Sequence, residues 1–340
     1  MGSCVFLKNI YLPIHPSDIP DLRIKLIESW DTKFWRLYTR LYTNEMTKTT
    51  MLNNLFDTQV VKWHQQALSN ASLYYVTDEM CELIYNTVPY IPDNTDIESL
   101  SIPSEYGLVV FAKPFYGIDS VTKNKKEVEV DAILWGPAIT QDLQCITISS
   151  FHCLDKEKSQ TTKLSRLDLQ KAGFLEDACV LKDKIWIPLG YSDWPLSYPI
   201  FEPTNNNLDD QNESGVEDRR LLAALFTILD SKKIIEPNSY YYVDRATRRR
   251  NSKKQIKAPS NIRLVTLKQS VVENAEVENV ETENKNHIEY SHRFMVRMHP
   301  VLQPCGAGGK DRKLIVRGPY IKGPEDKPLI IKETVNILKK

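Results

Sequence analysis

Two groups of cationic side chains could meet a polyanion. The first comprises Arg245, Arg248, Arg249, Arg250, Lys253 and Lys254, with Lys257 just beyond. The second comprises His292, Arg293, Arg297, His299, Lys310, Arg312, Lys313 and Arg317. Lys and Arg that neutralise phosphates release condensed counterions, and this term supplies most sequence-independent affinity for nucleic acid. The leading expectation is therefore a noncatalytic protein that contacts the phosphates of DNA or RNA. A second reading is catalytic. His292 or His299 would act as general acid or base and Arg297 or Arg317 would stabilise a phosphorane-like transition state, as in a metal-independent nuclease. A third is an interaction module whose basic surface meets an acidic protein.

The net charge of zero conceals a segregation along the chain that bears on all three readings. Residues 245–268 hold nine basic side chains and no acidic one. Residues 273–289 hold six glutamates against Lys285 alone, and 292–322 hold seven Lys or Arg against Asp311 alone. The acidic stretch lacks apolar periodicity and reads as a solvated loop over 273–287. Its glutamates are a competing anion within the same chain.

Other patterns lead to less. Gly306-Ala307-Gly308-Gly309-Lys310 looks like half a phosphate-binding loop, but Asp311 stands where the hydroxyl residue belongs. His292, His299 and Cys305 offer three metal ligands at unsuitable spacing with no fourth nearby, so no metal is expected, nor any cofactor. Asp119, Glu127, Glu129 and Asp131 are of a type that holds Mg²⁺, yet Lys123, Lys125 and Lys126 among them favour a solvated turn. Trp135 and Trp194 sit beside turn residues and read as core.

The elements that would position these groups follow from periodicity. Apolar residues at helical spacing predict helices over 21–43 and 52–68, and Thr77 before Asp78-Glu79 is a candidate cap for a third. Strands are predicted at 108–111, 128–135, 144–151 and 180–187. The fold class expected is α+β: N-terminal helices on a mainly antiparallel sheet, followed by a helix-plus-β basic C-terminal module. The division expected is a domain over 1–200, a Pro/Asn/Asp-rich linker over 201–216 and a basic module over 217–340. Within that module 221–229 reads as a short helix, and 240–254 as a helix with Arg245, Arg248 and Arg249 on one face. A strand over 261–268 would complete an order compatible with a winged helix. Strands over 290–302 and 313–316 would form a hairpin joined by Pro304 to Gly309, with Arg293, Arg297 and His299 aligned on one face.

The segments GLVVFAKP, DAILWGP, PLGYSDWP, HRFMVRMH and PYIKGPEDKPL, in that order from Gly107 onward, resemble an uncharacterised protein family common in actinobacterial genomes. Where that family has a VRGHWR-type strand, this chain has Met298 in place of Gly and Pro300 in place of Trp-Arg. The resemblance implies an association with mobile elements and, through it, a place near nucleic acid.

No run of about 18 apolar residues is present to span a bilayer, and the N-terminus lacks the apolar core of a secretory signal. The six cysteines contain no CxxC pair. Reduced thiols, a cytoplasmic setting and no membrane partner are expected. If the acidic segment shields the basic groups, deletion of 273–287 should tighten binding to a generic oligonucleotide in a polarisation titration; unchanged affinity would remove the shielding idea.

Overall fold

The computed structural model describes residues 14–30, 50–119, 126–140, 142–154, 179–182, 184–196, 198–200, 209–231, 235–236, 239–266, 294–296, 299–306, 308, 311–317 and 320–322. Its centre is an eight-stranded sheet in the order β5-β6-β4-β3-β2-β1-β8-β7. The strands are β1 (Ser72–Val76), β2 (Gly107–Asp119), β3 (Lys126–Thr140), β4 (Leu143–Leu154), β5 (Cys179–Leu181), β6 (Lys184–Pro195), β7 (Tyr240–Tyr241) and β8 (Ile262–Val265). Neighbours are antiparallel except at β1, which runs parallel to both β2 and β8. The fold is α+β with a mostly antiparallel sheet.

Helices cover both faces. On one, α1 (Ile19–Ser29) packs against α2 (Thr50–Asn70). Trp30, at the end of α1, stacks on His64 of α2 at 3.7 Å and meets Phe151 of β4 edge-on. The other face carries α4 (Asp209–Asp230), whose Phe226 meets Trp135 of β3. Alternation along a strand separates the two sets, because Trp135 is paired with Ile148 while Phe151 lies an odd number of residues further along β4. The short helix α3 (Asp78–Thr87) packs on α4 and β2. Trp30, Trp135, Trp186 and Trp194 are all fully buried, as core rather than as cleft walls. Gly107 is required where it stands, since a Cβ there would meet the Trp135 ring at 2.0 Å.

Several expectations are refined. The 180–187 stretch is a hairpin of β5 and β6 turning at Lys182, which has a positive φ of 56°. Thr77 occupies the cap position of α3 in extended backbone, but its hydroxyl donates to Val265 O of β8 and makes no bond to the helix. The helix expected at 221–229 begins at Asp209, inside the stretch read as a linker. β8 does not form a wing. It enters the sheet interior between β1 and β7, so strands from both sides of 201–216 share one sheet. Among the described residues the strand after the basic helix is an interior strand of the main sheet, parallel to β1 and antiparallel to the two-residue β7, and not the ribbon of a winged helix. Beyond the sheet, β9 (Phe294–Val296) pairs with β12 (Tyr320–Lys322), and β10 (His299–Cys305) with β11 (Asp311–Arg317). Of the described cysteines, Cys81, Cys145, Cys153 and Cys179 are buried and Cys305 is exposed. Burial raises Cys81 to about 11 and Cys179 to about 12, which leaves both inert as nucleophiles at neutral pH.

His64 is the buried polar joint between α2 and the sheet. Its Nε2 lies 2.9 Å from Ser149 Oγ and its Nδ1 2.7 Å from Val60 O, so a neutral ring donates to the carbonyl and accepts from the hydroxyl. Burial holds its pKa down to about 3, against the hydrogen bond to Val60. In the unfolded chain the same imidazole takes up a proton near pH 6.5. Its contribution is therefore complete above pH 6.5 and is lost as the pH falls towards 3, the unfolded state binding one proton more across that window. Urea midpoints measured from pH 7 to pH 4 should fall, and His64→Gln should lower the neutral-pH midpoint while reducing the slope between pH 6 and 4 by about 1.4 kcal/mol per pH unit. An unchanged slope would show that this ring is not held neutral.

Candidate nucleic-acid interface

The first cationic group forms the short helix α5 (Arg245–Lys253). Asp244 marks the helix start: its carboxylate accepts from Thr247 N at 2.7 Å. That capping bond, together with the charges of Arg250 and Arg248, holds the Asp244 carboxyl below its usual range. Beyond the cap residue Lys254, Gln255 takes the left-handed region with φ 56°, after which Ile256 N returns to Asn251 O at 3.2 Å. Lys257 N and Ala258 N both donate to Ser69 O at the end of α2.

Spacing divides the helix into sides. Thr247 and Asn251, four apart, are buried against α1. There Asn251 Oδ1 accepts from Arg23 Nη2 at 2.7 Å while its Nδ2 donates to Thr247 O at 3.0 Å. Arg23 is fully buried. Its Nη1 also donates to Ala71 O at 2.9 Å and to Pro259 O at 3.3 Å, and Nε has no partner among the described residues. Burial alone lowers its pKa to about 10, leaving it charged at neutral pH.

Flanking the buried side, Arg250 makes a two-pronged contact with Asp21 at 3.1 and 2.8 Å, and Lys254 reaches Glu28 at 2.7 Å. Those two cations of the predicted cluster are thus paired with carboxylates of α1. The Lys254 contact, followed by that of Lys25, holds Glu28 below the usual carboxylate range. Arg245, Arg248, Arg249 and Lys253 take the opposite, exposed side, and none is in an ion pair among the described residues. Preceding them, Tyr240 and Tyr242 are exposed, with ring centroids 6.2 Å apart, whereas Tyr241 between them turns to His15. These two tyrosines escape a reading based on charge, although the run Tyr240-Tyr241-Tyr242 beside an arginine cluster is visible in the sequence.

The second cationic group is distributed differently. His299 and Arg317 are register partners across the β10–β11 hairpin. Lys313 pairs with Asp230 of α4 at 3.1 Å and Arg312 is exposed. Leu314 is buried and its N–H donates to Ser99 O, so the hairpin is seated on α4 and the segment after α3. His292, Arg293, Arg297 and Lys310, like the acidic segment 273–287, lie outside the described residues. The stretch expected as one strand contains two, β9 and β10, with different partners, so Phe294–Val296 and His299 do not share a single ladder.

The carboxylates of β3 also differ from expectation. Asp131 is buried and its Oδ2 lies 2.7 Å from His152 Nδ1 of β4, while also accepting from Cys153 N at 2.8 Å. Glu129 Oε2 is 3.7 Å from His152 Nε2, and burial raises the Glu129 pKa, helped by the charge of Asp131 and opposed by His152. Asp131 is therefore part of a buried acid–histidine pair and not of a solvated turn. Period-two spacing puts Glu129 and Asp131 on one face, but the partner on β4 depends on register. Among the described residues no group of His, Cys, Asp and Glu is arranged to hold a metal.

No family model matches the chain, and no curated protein does. Among solved structures, the crystal structure of AcrVA2 aligns at 12% identity over 91% of this chain and 99% of that one. Its TM-score is 0.35, too low to bear on fold or function. No helix among the described residues is long and apolar enough to cross a membrane.

Arg23 is the joint on which the exposed face rests. Arg23→Met keeps the aliphatic stem but leaves Asn251 Oδ1, Ala71 O and Pro259 O without this donor, each loss costing about 1–3 kcal/mol before relief of the buried charge. A net loss of about 2–4 kcal/mol is expected in denaturant unfolding, with faster amide exchange in α5. Unchanged exchange in α5 would contradict this role.

Proposed function

We propose that the chain binds nucleic acid through the outer side of α5, with Arg245, Arg248, Arg249 and Lys253 meeting phosphates. The observation that carries the reading is the division of the helix. Its inner side is fixed to α1 by Arg23, Arg250 and Lys254, and its outer side keeps four exposed cations outside any ion pair among the described residues. Like charges crowded on one helix face are destabilising by a few tenths of a kcal/mol per pair. A polyanion relieves that repulsion and gains from counterion release. Arg312 on the hairpin is a further exposed cation, and the neighbouring Lys313 contributes less because Asp230 already holds it.

This reading assigns different roles to members of the sequence cluster. Arg245, Arg248, Arg249 and Lys253 contact the ligand; Arg250 and Lys254 keep the helix in place. Ion pairs as exposed as these two are worth about 0–1 kcal/mol each, so their value is orientation more than stability.

Fluorescence polarisation with labelled DNA and RNA over a salt series tests the proposal. Replacing Arg245, Arg248 and Arg249 by Gln should reduce the slope of log K against log salt by about 2–3, which corresponds to three lost phosphate contacts. Arg250→Gln should change the slope by less than one such contact. Absence of binding at low salt by the unaltered protein would refute the proposal.

A further inference from the structure

We infer that the ligand of this face is single-stranded nucleic acid, its bases stacking on Tyr240 and Tyr242 while its phosphates follow α5. The inference rests on the reading above and adds the class of strand. It begins with two aromatic side chains that the fold does not use. Tyr242 is 73% exposed and Tyr240 43%, among the largest exposed hydrophobic residues of the described chain. Tyr241, between them, has its ring 5.7 Å from His15, edge-on. Alternation along extended backbone therefore sends Tyr240 and Tyr242 to one side, where their rings stand 6.2 Å apart and tilted by 43°.

Their position is set by neighbours. Tyr240 lies in β7 at the edge of the sheet, opposite Arg263 of β8 in the register, so its backbone is anchored while its ring remains accessible. Tyr242 is two residues before Asp244, whose carboxylate starts α5. Covalent geometry then keeps Tyr242 within about 11 Å of Arg245, Cα to Cα, even for a fully extended chain. A backbone that passes the arginines thus brings its bases within reach of the rings.

Chemistry selects the strand type. In a duplex the base faces are stacked on one another, and a surface tyrosine finds only phosphate and sugar. In a single strand every base has an open π-face, and stacking on an aromatic side chain is tolerant of sequence. A cationic track beside an aromatic pair is the combination that single-strand binders use.

The test compares the full chain on oligothymidylate, oligouridylate, a mixed-sequence duplex and poly-glutamate by fluorescence polarisation or competition. Both single strands should bind more tightly than the duplex, and poly-glutamate should compete weakly. Tyr240→Leu/Tyr242→Leu should weaken single-strand binding by about 5- to 150-fold, the range for loss of a stacked base. Tyr240→Phe/Tyr242→Phe should retain most of it, because the ring and not the hydroxyl carries stacking; circular dichroism checks the fold of each variant. Equal affinity for duplex and single strands, competition by poly-glutamate at equal charge, or a Leu variant that binds like the unaltered chain would overturn the inference while leaving phosphate binding by α5 in place. Absence of binding to any nucleic acid would instead remove the reading on which it rests.

Discussion

A single buried guanidinium determines where the basic helix sits. Arg23 lies on α1 among Ile19, Leu22 and Leu26, where an apolar residue would satisfy the packing. A charge taken out of water at such a place is costly unless its donors are met, and only part of the cost is recovered by three acceptors, none a carboxylate. Those acceptors belong to three separate pieces of chain: the entry to β1, the connection into β8, and α5. The arginine thereby ties together the elements that flank the parallel part of the sheet. A hydrophobic side chain could fill the volume, but it could not specify which backbone must lie against it.

From that joint follows the division of labour among the cations of α5. Sequence spacing alone treats Arg245 to Lys254 as one positive patch. Docking on α1 imposes a helix side, and the acidic residues Asp21 and Glu28 of α1 take up Arg250 and Lys254. What remains exposed is a narrower stripe with its orientation fixed by buried Asn251 and Thr247. Such placement reduces the entropy lost when a ligand is engaged, because the helix backbone is already held before any phosphate arrives.

Much of the fold is legible in the sequence because its strands are long and apolar. Residues 108–111, 128–135 and 144–151 declare themselves by β-branched and aromatic content, and the strands found are longer at both ends because pairing extends order into less apolar residues. The five-residue strand β1 is not foreseen; it directly follows a helix, and its run Leu73 to Val76 is too short to separate helix from strand by period. The exposed face of α5 is anticipated at Arg245, Arg248 and Arg249 because helical neighbours are fixed by local geometry. Arg23, His152 and the Arg250–Asp21 pair are invisible at that level. Each depends on contacts between segments far apart in the chain, and neither residue type nor spacing encodes which segments meet.

The parallel pairing of β1 with β8 has a consequence during synthesis. Leu73 is bonded beside Ile262, a separation of about 190 residues, so β1 emerges long before its second neighbour exists. At typical elongation rates of about 5–20 residues per second that interval is about 10–40 s. β2 can cover one edge of Leu73–Val76 early, but the other edge stays open, with its N–H and C=O groups unpaired, until β8 arrives. On a crowded polysome that apolar edge is a template for pairing between nascent chains, and the C-terminal third, besides carrying the basic helix, is what closes it.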